Sequence, residues 1–152
     1  MRLAEILSPT LVITLTQASS KKKLLQDMAN RITAFDPLLD TDQILDGLLT
    51  REQLGSTYLG EGVGLPHCRL SACQRLIGAL VKCDRPIDWD SVDNQQADIV
   101  FILLAPEHTN QDHLDMLAEI TRLLNQSAFR DAIRSTQSDE QLYKLIIEHA
   151  AN

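Results

Sequence analysis

Asp98-Ile99-Val100-Phe101-Ile102-Leu103-Leu104 is a run of six apolar residues behind one acid. A strand with one face in water alternates apolar with polar residues; a run without alternation suits a central strand covered on both faces. The longest apolar stretch of the chain, Ile99 to Pro106, contains it. That stretch is far too short to span a bilayer, which takes about 20 residues as a helix. Upstream, Leu76 to Cys83 alternates as a strand with one face buried, and Leu11-Val12-Ile13-Thr14-Leu15 reads as a β-branched strand. Pro86-Ile87-Asp88-Trp89-Asp90 reads as the connecting loop before the central strand.

Helical spacing surrounds these strands. Leu3 to Leu7 predicts a short helix stopped at Pro9. Ser19 or Ser20 caps a helix running to about Phe35, with Leu24, Leu25, Met28, Ile32 and Phe35 inward. Thr41 caps the next, carrying Ile44, Leu45, Leu48 and Leu49, and it fades near Leu54 and Gly55. Beyond the central strand, Asn110 caps a helix with Leu114, Leu117, Ile120, Leu123 and Leu124 inward. A shorter helix covers Phe129 to Arg134. The last begins at Ser138, with Gln141 at capping-box spacing, and buries Leu142, Leu145 and Ile146. Strands intermixed with helices on both sides predict a three-layer α/β domain with a central sheet. At 152 residues, with no repeat, low-complexity tract or long linker, the chain reads as one domain, 1–152.

Composition narrows the function classes. The hydrophobic fraction is 44% and mean hydropathy −0.10, ordinary for a water-soluble globular protein. The N-terminus has an early acid and no long apolar core, so no signal peptide is expected and a cytoplasmic location follows. Net charge is −7 and uneven: residues 1–80 hold eight Lys/Arg against eight Asp/Glu, residues 81–152 six against thirteen. Only Lys21, Lys22 and Lys23 form a basic cluster, read as a solvated helix face, so nucleic acid is not expected as a partner. Cys68, Cys73 and Cys83 are odd in number and lack CxxC spacing, which points to reduced thiols.

The segment between the second long helix and the alternating strand differs in kind. Gly55, Gly60, Gly62 and Gly64 fall within ten residues, though the chain has only 6 glycines. Pro66 fixes its own φ and biases Leu65 toward an extended backbone, limiting how the chain delivers His67. Gly62 and Gly64 would let the backbone approach a bulky ligand group. Arg51, Ser56 and Thr57 add a guanidinium fork and two hydroxyls, an inventory suited to a phosphoryl dianion. A neutral imidazole offers a nucleophilic nitrogen near pH 7. Phosphoryl transfer asks the protein mainly for positioning and charge stabilisation. Taken alone, a histidine behind a glycine-rich turn is more often a surface or hydrogen-bonded residue than a nucleophile. Spacing does not overturn that.

The run from Arg51 to Leu70, REQLGSTYLGEGVGLPHCRL, resembles the active-site signature of the fructose/mannitol/nitrogen-regulatory class of phosphotransferase-system IIA domains. The resemblance extends over nearly the whole chain. It takes in PIDW from Pro86, FILLAPE from Phe101 and DHLDMLAEITRLL from Asp112. It implies a mixed β-sheet flanked by helices on both faces, and a phosphoryl group carried on the tele nitrogen of His67. His113 is implied as the supporting histidine and Arg51 as the stabiliser of the phosphate; the hydroxyls of Ser56 and Thr57, from the residue reading, stand as candidate phosphate-binding groups. The implied donor is an HPr-like phosphocarrier (NPr); no cofactor, metal or membrane insertion is expected. His113 also follows from spacing, since with Asn110 as cap it sits at the third helical position, where the helix dipole disfavours imidazolium and attracts an anion.

Tyr58, Gly64 and Cys68 depart from the class pattern, where glycine, alanine and glycine are common. Tyr58 is expected to narrow the pocket or alter the docking surface. Without a fused IIB, IIC or HPr-like segment, and with its PHCRL and PIDW details, the chain reads as the regulatory branch, acting on target proteins that the sequence does not identify. The competing reading is a sugar-specific IIA that passes phosphate to a IIB domain. Outside the class stand an interaction module with an inert His67, metal binding by His67, Cys68, Cys73 and His108 or His113, and thiol chemistry at Cys68 beside Arg69. No pair has structural-zinc spacing and no resolving thiol is evident. His108 and His149 carry no motif and no assigned role.

Overall fold

The run from Asp98 to Leu104 lies inside a 12-residue strand, Gln95–Pro106, with hydrogen-bonded neighbours on both edges. The computed structural model describes residues 2–15, 20–90, 93–108 and 111–150. In chain order the elements are α1 (Leu3–Ile6), a 3-10 turn (Pro9–Leu11), β1 (Val12–Leu15), α2 (Lys21–Phe35), α3 (Thr41–Gln53), β2 (Tyr58–Gly60), β3 (Val63–Gly64), β4 (His67–Leu70), β5 (Ile77–Asp90), β6 (Gln95–Pro106), α4 (Gln111–Leu124), α5 (Ser127–Ser135) and α6 (Asp139–Ala150). The sheet is mixed and runs β1-β5-β6-β3-β2, with β4 also on β6. β1 is parallel to β5, β5 antiparallel to β6, β3 and β4 parallel to β6, and β2 antiparallel to β3.

Alternation along β6 shows why it is central. Val100, Ile102 and Leu104 enter the core shared with α2 and α3. Ile99, Phe101, Leu103 and Ala105 enter the opposite core, shared with α1, α4, α5 and α6. Successive side chains point to opposite faces, so a strand buried on both sides can carry no polar position. The expected three-layer architecture is what forms.

Four local expectations need correction. Pro86 to Asp90 is not a loop: it prolongs β5 past a register shift between Lys82 and Ile87. Ile87 and Trp89, each 4% exposed, continue the inward alternation, and Pro86 falls in the irregular stretch, where a missing N–H is tolerated. Leu76 to Cys83 is buried on both faces, with Ile77, Ala79 and Val81 on one side and Leu76 and Leu80 on the other. The cap of α3 is Asp40, whose carboxylate accepts from the Gln43 N–H at 3.0 Å; Thr41 is already helical. Leu114 points outward, 54% exposed, and His113 and Met116 take inward positions on α4 instead.

Other ends form as expected. Ser20 accepts from the Lys23 N–H at 3.0 Å. Ser138 Oγ accepts from the Gln141 N–H at 3.1 Å, while the Gln141 side chain reaches one residue beyond the cap, to the Gln137 N–H at 2.9 Å. Ser19 and Asn110 lie outside the described residues. The lysine cluster is more than a solvated face: Lys21 Nζ lies 2.8 Å from Glu52 Oε2 and 4.4 Å from the centroid of the Trp89 ring.

The glycines mostly make room for the protein's own side chains. A Cβ on Gly64 would stand 2.8 Å from two atoms of the Trp89 indole. Gly62, at φ +81°, would place one 2.6 Å from the Arg134 guanidinium and 2.7 Å from the Asp98 carboxylate, which are paired with each other. Neither supports the expected close approach of a ligand. The departure at Gly64 therefore belongs with Trp89 lying against it. Gly64→Ala is expected to cost about 1–3 kcal/mol by overpacking and to shift the emission of Trp89, the chain's 1 tryptophan. Denaturant melts read by that fluorescence check it; an unchanged midpoint with unchanged emission would show that the ring moves aside freely.

Candidate functional site

Val63 and Gly64 pair with Ile99 and Val100, and His67 to Leu70 pair with Leu103 to Pro106, in a single unbroken register. β3 and β4 are thus one parallel strand interrupted at Leu65 and Pro66. Pro66 has no N–H to give, but its carbonyl still accepts from the Leu103 N–H at 3.1 Å. His67 is the first residue after the interruption, half-buried at the sheet edge. Its Nδ1 lies 2.8 Å from the Leu65 carbonyl oxygen. A carbonyl only accepts, so Nδ1 carries the proton and Nε2 of the neutral ring keeps its lone pair. Burial lowers the His67 pKa from 6.5, the Leu65 hydrogen bond opposes that, the Arg51 charge adds to the lowering, and the Glu52 charge opposes it.

His67 opens onto a cavity of about 610 Å³ between the C-terminal end of α3 and the start of α4. Arg51, Arg69 and His113 line it as well, and Leu54 (82% exposed) and Leu114 (54%) stand on its wall. His113 holds the third position of α4 and is 4% exposed, so it is not a solvent-facing residue. Its ring centroid is 6.2 Å from that of His67, with the planes at 68°. Burial, then the Arg69 charge, then His67 lower its pKa from 6.5. Both rings are therefore neutral near pH 7.

Arg69 is the residue that sequence reasoning did not place here. Its Nε donates to His113 Nδ1 at 3.3 Å. The signal was available: on a strand, residues two apart share a face, so a β4 that presents His67 also presents Arg69.

The donor set divides. Arg51 sits in the last turn of α3, where a cation suits the dipole, and its Nη1 donates to the Gly55 carbonyl at 3.0 Å. Ser56 and Thr57 do not line the cavity. Ser56 Oγ accepts from the Tyr58 N–H at 3.1 Å, and the Thr57 hydroxyl donates to Glu52 Oε1. The phosphate-binding expectation for these two thus meets hydroxyls engaged in shaping the turn. Glu52, its side chain 7% exposed, ties that turn to Lys21. Tyr58 does not narrow the cavity either: its hydroxyl accepts from the Gly62 N–H at 2.9 Å and clasps the β2–β3 hairpin.

Cys68 borders the same cavity but packs into the α2/α3 core, and burial pushes its thiol up to about 12, with Cys73 adding to the rise. A protonated thiol gives thiolate chemistry no basis there. His149 packs its ring 4.6 Å from that of Phe129, an internal structural contact. Among the described residues no group of three or more His, Cys, Asp or Glu could hold a metal ion, and no helix is long and apolar enough to cross a membrane.

Comparison with known proteins places this geometry. The family model for the EIIA 2 component of the phosphoenolpyruvate-dependent sugar phosphotransferase system matches residues 5–149. A nitrogen regulatory protein of Pseudomonas aeruginosa is 38% identical over 148 residues, covering 97% of this chain and 96% of that protein. One from Bradyrhizobium diazoefficiens is 34% identical over 146 residues, covering 96% of this chain and 95% of that protein. The crystal structure of the nitrogen regulatory protein IIA-Ntr from Neisseria meningitidis superposes with a TM-score of 0.84 at 28% identity, over 95% of this chain and 98% of that one.

Proposed function

Because the chain belongs to the EIIA 2 family of the phosphoenolpyruvate-dependent sugar phosphotransferase system, we propose that it accepts a phosphoryl group on Nε2 of His67 from an HPr-like phosphocarrier (NPr) in the cytoplasm, and regulates partner proteins by its phosphorylation state. The observation that carries the reading is the hydrogen bond from His67 Nδ1 to the Leu65 carbonyl, 2.8 Å. It leaves one nitrogen able to attack, and it supports the charge that the ring gains as it does so. In the transfer, the Nε2 lone pair forms the new P–N bond while the carrier's P–N bond breaks, its electron pair returning to the carrier's imidazole. The Nδ1 proton stays in place, held by Leu65.

Arg51 and neutral His113 line the cavity onto which His67 opens, and in this reading they face the phosphoryl oxygens. Positioned charge of this kind is what phosphoryl transfer asks of a protein. Leu54 and Leu114 give an approaching carrier apolar contact area beside the histidine. Phosphorylation adds about −1.5 to −2 charges to this face, which is how the state of His67 becomes readable to a partner. Relatives named nitrogen regulatory protein support the regulatory branch over the sugar-specific one.

The test incubates the protein with phosphoenolpyruvate, the first enzyme of the system and an HPr-type carrier. The expected product is an acid-labile phosphate, placed on Nε2 of His67 by nitrogen–phosphorus coupling in NMR. Absence of label, or label on Nδ1, would end the proposal. The pH dependence has a definite sign. Burial lowers the His67 pKa, so the reactive neutral ring persists below pH 6.5 and the acid limb of single-turnover transfer lies below that value. An acid limb above 6.5 would contradict a buried neutral nucleophile. Efficient onward transfer to a sugar-specific IIB domain would instead favour the sugar-carrier reading.

A further inference from the structure

We propose that Arg69 is a positioning residue for phosphoryl transfer, holding His113 in the tautomer that carries its proton on Nε2; the inference rests on the reading of His67 as phosphoryl acceptor. Arg69 Nε meets His113 Nδ1 at 3.3 Å. A guanidinium has five N–H donors and no acceptor, and it does not lose its charge in proteins. Its partner nitrogen must therefore present a lone pair. In a neutral imidazole one nitrogen is protonated and the other is not, so Nδ1 accepts and Nε2 holds the hydrogen.

The surroundings keep the ring neutral. His113 is 4% exposed, and the cationic Arg69 beside it opposes a second positive charge. Any hydrogen bond that the neutral ring gives to a phosphoryl oxygen then comes from Nε2. In the opposite tautomer Nε2 would hold a lone pair and could give no hydrogen bond to an anion. Fixing a histidine's tautomer through its other nitrogen is a recognised way for a protein to set what that histidine does.

The strand supplies the precision. His67 and Arg69 are alternate residues of β4, registered against Leu103 and Ala105 of β6, so one ladder sets both side chains on the same face. The acceptor and the residue that orients its helper are thereby placed by the same backbone, while the helper itself comes from α4.

The experiment compares wild type with Arg69→Met, which removes every donor, and Arg69→Lys, which restores one. Because Arg69 is exposed, both variants are expected to fold, and amide NMR spectra confirm it. The first readout is the pair of imidazole nitrogen shifts of His113. Wild type should show the Nε2–H tautomer, Arg69→Met a mixture, and Arg69→Lys a partial return. The second is steady-state transfer from a phosphorylated HPr-type carrier. Arg69→Met should lower kcat by about tenfold to a hundredfold with KM nearly unchanged, and Arg69→Lys should recover part of the loss. An unchanged His113 tautomer in Arg69→Met would overturn the proposal. So would a raised KM with kcat intact, which would make Arg69 a docking contact. A wild type that takes no phosphate would remove the reading of His67 while leaving the tautomer result to be judged on its own, so the two failures are distinguishable.

Discussion

His67→Ala is expected to take up no acid-labile phosphate when presented with the phosphorylated carrier, a fall of at least about a thousandfold in transfer rate. The substitution removes the nitrogen proposed to form the P–N bond, and losing a nucleophile outright is among the largest single effects known in enzymes. Among the described residues, the neighbours that line the cavity are poorly suited to replace it. His113 Nδ1 is engaged by Arg69, and the Cys68 thiol, packed in the α2/α3 core, is held protonated. The fold should survive, because His67 is half-buried at a sheet edge and β4 keeps its ladder with β6. The Leu65 carbonyl loses the ring as partner, so a fall of about 0.5–1.5 kcal/mol in stability is expected. Labelling by incubation with phosphoenolpyruvate and the two upstream proteins, alongside a thermal melt, separates the two effects. Undiminished label on a folded variant would move the acceptor site elsewhere.

The parts of the fold legible in sequence are those in which each residue answers to its own environment. β6 could be read because a strand buried on both faces has no polar position to hide it, and α2 because its apolar side repeats at helical spacing. What escaped depends on residues distant in the chain. Pro86 to Asp90 looks like a loop until Ile87 and Trp89 are seen to fill the core beside Ala97, across a shifted register. Gly62 and Gly64 suggest a ligand cradle until Arg134, Asp98 and Trp89 are seen to occupy the space.

The candidate site shows the same division. His67 and Arg51 belong to a single contiguous stretch, and both line the cavity, joined by His113 from α4. Ser56 and Thr57 sit in that stretch too, but their hydroxyls answer to Tyr58 and Glu52. Residue type was legible; partner was not. Arg69 could be read as sharing a strand face with His67, but its partner His113 lies 44 positions away on α4.

Arg51→Ala is expected to slow phosphoryl transfer by about a hundredfold to a thousandfold, the range seen when one preorganised charge-stabilising donor is removed. Arg51 lines the cavity with His67, and the Gly55 carbonyl holds its Nη1 at 3.0 Å, so its position is set before phosphate arrives. Arg51→Lys should recover only part of the rate, because an ammonium keeps the charge but lacks the planar fork that two oxygens can share. The Ala variant should also move a titration. The Arg51 charge disfavours imidazolium at His67, so removing it raises the His67 pKa and shifts the acid limb of the rate to higher pH. Burial, the largest cause of the lowering, remains in the variant, opposed by the Leu65 hydrogen bond and the Glu52 charge. NMR titration of the His67 ring reads that shift, and single-turnover transfer reads the rate. A reduced rate with an unmoved pKa would place Arg51 away from the ring, in docking of the carrier. A moved pKa with an unchanged rate would show that its charge reaches the imidazole but adds nothing to the transition state.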